Sequence, residues 1–429
     1  MSRSGRLGRP ALVAVTLLVA AAVTLLALNL SAGERRIELH PQHQYAVDDP
    51  QFARSMGVLL GPAFVAGNRV DTLVNGDRIF PAMLEAIAQA RSHIHFETYI
   101  YWSGAVGARF ADALAERARA GVAVRVLVDW VGSQKMDEAL VARMQGAGVE
   151  IRRFRPLRWY TLGRLNNRTH RKLLVVDGRT GFTGGVGIAD QWSGDAQDPD
   201  HWRDTHYRVD GPVVAQLQAT FMDNWSRASG TVLHGDAYFP PQPAAGPQVA
   251  QVFQSSSQGG SESMHLMYLL SIAAAARSID LSMAYFVPDA VTSRALVEAM
   301  RRGVRVRIIL PGRHIDADAV RGASRAAWGP LLAAGAQIHE YEPTMFHCKV
   351  LVIDGLWTSV GSTNFDARSF RLNDEANLNV LDAAFAARQV EQFERDLQRS
   401  RRITLDEWAA RPWTERLGEW AASLAASQL

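Results

Sequence analysis

The sequence contains a single cysteine, Cys348, among its 429 residues. An intrachain disulfide is therefore excluded, and cysteine usage leaves the redox compartment open. An excess of either charge is also missing: 46 Lys and Arg stand against 43 Asp and Glu, a formal net charge of +3. Composition alone does not mark a nucleic-acid binder, so any such role would have to come from local clusters. Disorder is excluded as well. A chain that is 48% hydrophobic and 21% charged can bury a large core, and its length suits two ordinary domains.

Long apolar runs are scarce. Ala11 to Leu30 runs without a charge, broken only by Thr16, Thr24 and Asn29, and a membrane-crossing helix needs roughly 20 such residues. Arg3, Arg6 and Arg9 precede it, whereas Arg35 and Arg36 follow. The expectation is a basic tail over 1–10 and a single transmembrane helix over 11–30, with the rest of the chain on the outer, periplasmic face of the cell membrane. A cleaved signal peptide is the competing reading, with Ser31-Ala32-Gly33 as its cleavage site. A second apolar run, Gly57 to Gly67, is too short to span and contains Pro62; it reads as core or as an interfacial loop.

What the chain does have is a repeat. "ARSHIHFETYIY" from Ala90 is echoed by "ARSIDLSMAYFV" from Ala276, "RAGVAVRVLVD" from Arg119 by "RRGVRVRIILP" from Arg301, and "GAGVEIRRF" from Gly146 by "AAGAQIHEY" from Ala333. Each half then reaches one string, "THRKLLVVDG" from Thr169 and "FHCKVLVIDG" from Phe346. Helices and strands alternate in each copy, which implies an α/β layered unit with a largely buried sheet. Two copies imply a pseudo-twofold. The joint falls near "FPPQPAAGPQ", Phe239 to Gln248, a turn-rich stretch, so the halves are 31–240 and 241–429, the second ending in a helical tail.

Strand alternation assigns roles within the repeated string. His170 and Lys172 share one face, as do His347 and Lys349, while Asp177 and Asp354 have the opposite parity. The aspartates are expected to anchor the following turns through their own hydrogen bonds. Cys348 is expected to be a small buried residue. A single His-x-Lys strand would read as a half-exposed strand with a satisfied histidine, but two copies in matched contexts point to chemistry. A phosphodiester suits the set: one imidazole attacks phosphorus, the other protonates the leaving oxygen, and two ammonium groups neutralise the phosphate. No metal or other cofactor is required. "TGGVG" from Thr183, with Gly185 and Gly187, and "VGSTN" from Val360 are Gly-rich turns able to present backbone N–H groups to an anion.

The doubled His-x-Lys-x-x-x-x-Asp pattern resembles the phospholipase D superfamily, and "HWRDTHYRVDGPVV", "YFVPD" and "RSFRLN" are similar to its cardiolipin synthase branch. The resemblance runs from about Asp71 to Ile403. It implies two phospholipase D-like halves, each a mixed sheet flanked by helices, with one active site at their interface and a catalytic set of His170, Lys172, Asp177, His347, Lys349 and Asp354. By similarity His170 is the nucleophile that becomes a phosphohistidine, and His347 is the acid and then the base. Asp204 and Glu375 are their carboxylate partners, and Ser362 and Asn364 line the pocket. The family usually has asparagine where this chain has Gly187, so the first half would offer only backbone donors. The implied activity is phosphatidyl transfer between anionic phospholipids at a membrane; a phospholipase D-type hydrolase or an anchored nuclease is the alternative. Arg152, Arg153, Arg155, Arg158, Arg164 and Arg168, set among Phe154, Trp159 and Tyr160 with no acid between them, would suit an anionic bilayer or a single-stranded nucleic acid.

Overall fold

A computed structural model describes residues 9–30, 37–157, 166–256 and 262–426. In the first half the strands are β1 (Val65–Val74), β2 (His93–Thr98), β3 (Ala123–Asp129), β4 (Glu150–Phe154), β5 (Leu173–Val176), β6 (Thr180–Gly184) and β7 (Thr205–Asp210). In the second half they are β8 (Gln248–Ser255), β9 (Ser278–Met283), β10 (Phe286–Val287), β11 (Arg305–Pro311), β12 (Gln337–Tyr341), β13 (Lys349–Ile353), β14 (Trp357–Gly361), β15 (Phe365–Asp366), β16 (Glu375–Leu381) and β17 (Ser400–Ile403).

The strand order shows the internal symmetry. Outward from the junction the first half runs β1-β7-β6-β5-β2-β3-β4, and the second runs β8-β16-β14-β13-β9-β11-β12, with β17 added at the edge. Both are mixed sheets: β2, β3 and β4 are parallel, as are β9, β11 and β12, and the remaining pairs are antiparallel. The two expected sheets are joined, however. β1 pairs with β7 through one stretch and with β8 through Val65 and Asn68, across an irregular register. A 15-stranded sheet results, because a ten-residue strand is long enough to serve both halves.

Local sequence explains the repeated elements. In the helix Gly76–Gln89, Ile79, Phe80, Met83, Ala86 and Ile87 are buried, the spacing of one helical face. The helix Ala290–Arg301, whose counterpart in the first half is Ala105–Arg119, buries Val291, Ala295, Leu296 and Ala299, and Asp289 caps it by accepting from the Thr292 N–H. The Gly-Val pairs that lead β3 and β11 follow helix ends where Gly121 and Gly303 adopt φ of 90° and 94°, a conformation glycine reaches without strain. Each half has its own apolar core. A third cluster gathers Leu173, Val175, Tyr207 and Val209 with Val350, Val352, Leu378 and Val380, together with the helices Val214–Ser229 and Ala383–Leu397, and so fuses the halves across their interface.

The N-terminal expectation is met as a helix and corrected as a span. Arg9–Leu30 is helical, and described side chains such as Leu12, Leu17 and Leu18 are exposed. Among the described residues no helix is long and apolar enough to cross a membrane. The run Gly57–Gly67 forms a short π-helical turn, Met56–Leu60, with Met56 in the core and Val58 and Leu59 exposed.

Candidate active site

His170 and Lys172 lie in the extended segment just before β5, and His347 directly precedes β13, which Lys349 begins. Both segments are drawn across the interface. Thr169 bridges Asp374, and the His170 N–H donates to the Asp374 carbonyl at 2.9 Å; Phe346 bridges Arg203, and the His347 N–H donates to the Arg203 carbonyl at 2.7 Å. Each histidine is thereby registered against the residue preceding the other half's carboxylate.

The ring contacts cross in the same way. His170 Nδ1 lies 3.0 and 3.1 Å from the Glu375 oxygens, and His347 Nδ1 lies 2.7 Å from Asp204 Oδ2. With Nδ1 engaged, Nε2 of His170 is left for a substrate, and His347 Nε2 lies 3.2 Å from Lys349 Nζ. The carboxylates are themselves fixed. Glu375 accepts from Ser362 Oγ at 2.5 Å and Asn373 Nδ2 at 3.2 Å, whereas Asp204 accepts from Trp192 Nε1 at 3.0 Å and the Thr205 N–H at 2.8 Å. Lys172 Nζ donates to the His170 carbonyl and Lys349 Nζ to the His347 carbonyl, both at 2.7 Å, which brings each ammonium beside its own histidine.

Burial dominates the electrostatics. It lowers the His170 pKa to about 4 and the Lys172 pKa to about 7, and it lowers those of His347 and Lys349. Burial opposes charge on Asp204 and Glu375 too, but the adjacent histidines and lysines outweigh it and hold both carboxyls below their ordinary range. The unliganded site at neutral pH therefore pairs neutral imidazoles with ionised carboxylates.

The two histidines open into one cavity of about 290 Å³. Tyr99, Trp192, Trp202, Tyr285, Asp316 and Arg368 line it together with His170, Lys172, His347, Asn364 and Asn373. Tyr99 packs edge-on to His170 with ring centroids 5.2 Å apart, and Trp192 and Trp202 flank His347 at 5.3 and 5.5 Å. Tyr99 and Tyr285 hold the same position in the paired strings "ARSHIHFETYIY" and "ARSIDLSMAYFV", so the repeat marks them, whereas no spacing signal marks Trp192.

Several expected residues have other positions. The parity argument for Asp177 and Asp354 holds, which corrects their place in the catalytic set. Asp177 accepts the N–H groups of Arg91, Ser92 and His93 at 2.7–2.9 Å, and Asp354 those of Ala276, Arg277 and Ser278 at 2.7–2.9 Å. Ser362 is not part of the cavity wall; it steadies Glu375. Asn364 does line it. Gly185 and Gly187 present no donors to the cavity. The Gly185 N–H donates to the Thr205 carbonyl, and a Cβ there would overlap Asp204 Oδ1, while a Cβ on Gly187 would meet Ile100 Cβ and the Trp192 ring. Cys348 is buried, as expected.

The arginine run is also corrected. Arg168 is buried and pairs with Asp129 at 3.6 Å, Arg155 lies 3.8 Å from Asp374, Arg153 pairs with Glu138 at 2.5 Å, and Arg152 with Glu150 at 2.9 Å. Glu150 from close by and Glu138, Asp129 and Asp374 from elsewhere in the chain thus answer its described members. Arg158, Trp159, Tyr160 and Arg164 lie outside the described residues.

The chain matches the family model described as cardiolipin synthase, PLD-like domain, at residues 83–225 and 268–397. It is 37% identical over 341 residues to the probable cardiolipin synthase YwiE of Bacillus subtilis (strain 168), covering 79% of this chain and 67% of that protein. It is 35% identical over 364 residues to the major cardiolipin synthase ClsA of the same strain, covering 84% and 75%. Among solved structures, phosphatidylserine synthase of Haemophilus influenzae Rd KW20 shares the fold, with a TM-score of 0.68 at 14% identity over 88% of this chain and 100% of that one. The doubled motif, its crossed carboxylates and these matches agree: the chain belongs to the cardiolipin synthase family of phospholipase D-like phosphatidyltransferases.

Proposed function

We propose that this chain makes cardiolipin by moving a phosphatidyl group from one phosphatidylglycerol to the headgroup hydroxyl of a second, releasing glycerol. The observation that carries the reading is the pair of crossed His–carboxylate contacts opening on one cavity. His170 Nε2, neutral because burial keeps its pKa near 4, attacks phosphorus, and the phosphorus–oxygen bond to the leaving glycerol breaks. His347 protonates that oxygen. The negative charge of the entering phosphate favours the imidazolium at His347, and Asp204 steadies it. The acceptor hydroxyl then gives its proton to His347 and attacks the phosphohistidine, and the phosphorus–nitrogen bond breaks. Lys172 and Lys349 hold the non-bridging oxygens, and Asn364 extends the polar wall. The relatives of this chain are cardiolipin synthases, so lipid is the better-supported substrate. The enzyme would act at the surface of the cell membrane, with the catalytic part on the outer face.

Product analysis on phosphatidylglycerol vesicles, with and without added glycerol, tests the reading. Cardiolipin and glycerol should form, and added glycerol should suppress net cardiolipin by reversing the transfer. Phosphatidic acid as the main product would establish a hydrolase instead. His170→Ala should abolish both the product and an acid-labile, base-stable phosphoenzyme.

A further inference from the structure

The C-terminal helix Trp413–Ser423 docks in an unusual sense. Trp413, Leu417, Trp420 and Leu424 are 73%, 54%, 58% and 68% exposed, and at 3.6 residues per turn they fall within an arc of about 60°. The face turned to the protein is small and charged. Glu419 is buried and pairs with Arg325 and Arg411, both at 2.8 Å, and Ala422 packs on Gly322, where a Cβ would stand 3.1 Å from the Ala422 Cβ. An amphipathic helix normally buries its apolar stripe. This one is fastened by its polar side and presents the stripe outward.

Its position gives the stripe meaning. Ala422 and Ala426 pack into the cluster of Val287, Val320 and Ala323, beside Tyr285, and both Val320 and Tyr285 line the catalytic cavity. The N-terminal segment reaches the same face. The Ile37 N–H donates to Glu262 at 2.5 Å, Glu262 pairs with Arg371, and Arg371 stands two residues before Asn373 of the cavity wall.

We infer that the stripe Trp413, Leu417, Trp420 and Leu424 is a membrane-docking surface that lies in the headgroup and upper acyl region of the bilayer beside the cavity mouth. Tryptophan within an outward apolar stripe suits the bilayer interface. The stripe would hold the mouth where a phosphatidyl group can slide in without leaving the lipid. This inference rests on the lipid-substrate reading for its purpose but not for its measurement.

The full chain, reconstituted in phosphatidylglycerol vesicles, tests it by site-directed labelling. Cys348 is buried, so an environment-sensitive fluorophore can be placed selectively with Leu417→Cys, and with Ala120→Cys, an exposed position at the end of the first-half helix Ala105–Arg119, as the control. The Leu417→Cys label should shift to the blue and be quenched by nitroxide-bearing lipids, and the control should not. Trp413→Ser combined with Leu417→Ser and Trp420→Ser should lower turnover of vesicle phosphatidylglycerol at least tenfold and spare a monomeric short-chain phosphatidylglycerol. A water-exposed Leu417→Cys label, unchanged vesicle turnover in the triple variant, or a label shielded from both water and lipid in a dimer would each overturn the inference. Failure of the lipid reading looks different: the wild-type chain would then turn over neither lipid while the label still entered the bilayer.

Discussion

At the residue scale, the catalytic histidines depend on side chains whose only task is to hold a carboxylate still. Gly185 is the sharpest case, because any side chain there overlaps Asp204 Oδ1. Gly185→Ala should displace Asp204 from His347 and lower kcat at least tenfold, shift the acidic limb of the pH profile, and leave KM nearly unchanged; a wild-type kcat would refute the assignment. Asp177 provides the contrast. Its three N–H acceptances tie the β5–β6 turn to the start of β2, so Asp177→Asn should lower stability by about 1–3 kcal/mol while the folded fraction keeps its turnover. Chemical denaturation combined with activity per folded molecule separates the two effects. Strand parity made this division legible in the sequence, since alternation alone turns the aspartate away from the histidine. The crossing of the carboxylates was not legible, because His170 meets Glu375 across 205 positions and His347 meets Asp204 across 143. The arginine run misled for the same reason: Glu138, Asp129 and Asp374, which answer it, lie elsewhere in the chain.

At the scale of elements, the repeat disclosed the order of helices and strands in each half, since amphipathic spacing and Gly-led strands are local signals. The merging of two sheets was hidden. It depends on which edge of β1 finds β8, and backbone pairing leaves no mark on composition. The halves are also clamped by a buried ion pair, Arg203 of the loop before β7 with Asp396 of the helix Ala383–Leu397, through two contacts of 3.0 and 2.7 Å. The Arg203 carbonyl also receives the His347 N–H, so the clamp and the site share a residue. Asp396→Asn would leave the guanidinium buried beside a neutral partner and should cost about 3–5 kcal/mol. Urea unfolding should show the loss; a change below about 1 kcal/mol would mean that solvent reaches the pair.

At the scale of the whole molecule, buried histidines set the response to acid. Burial lowers the pKa of His95 to about 3 and those of His93, His170, His206 and His339 to about 4. Unfolded histidine titrates near 6.5, so between about pH 6.5 and 4 the unfolded chain takes up protons that the native chain refuses. Stability should therefore fall as pH falls through that window. Glu97, raised to about 7, and Asp129 and Asp366, raised to about 6, act in the opposite direction, but they are fewer than the histidines. Tm should drop steadily from pH 7 to pH 4.5, and a flat profile would show that the carboxyls balance them.

The crossed pairing has a consequence for how such a chain can change over generations. Each half keeps its histidine and lysine but borrows from its twin the carboxylate that orients the ring. Neither copy can be freed to drift into a regulatory or redundant module, as duplicated units often are, because losing the loop around Asp204 disarms the histidine of the second copy and losing the start of β16 disarms that of the first. The duplication is thereby locked into mutual dependence, and an ancestor with a single copy would have needed two identical chains face to face to hold even one complete acid–base pair.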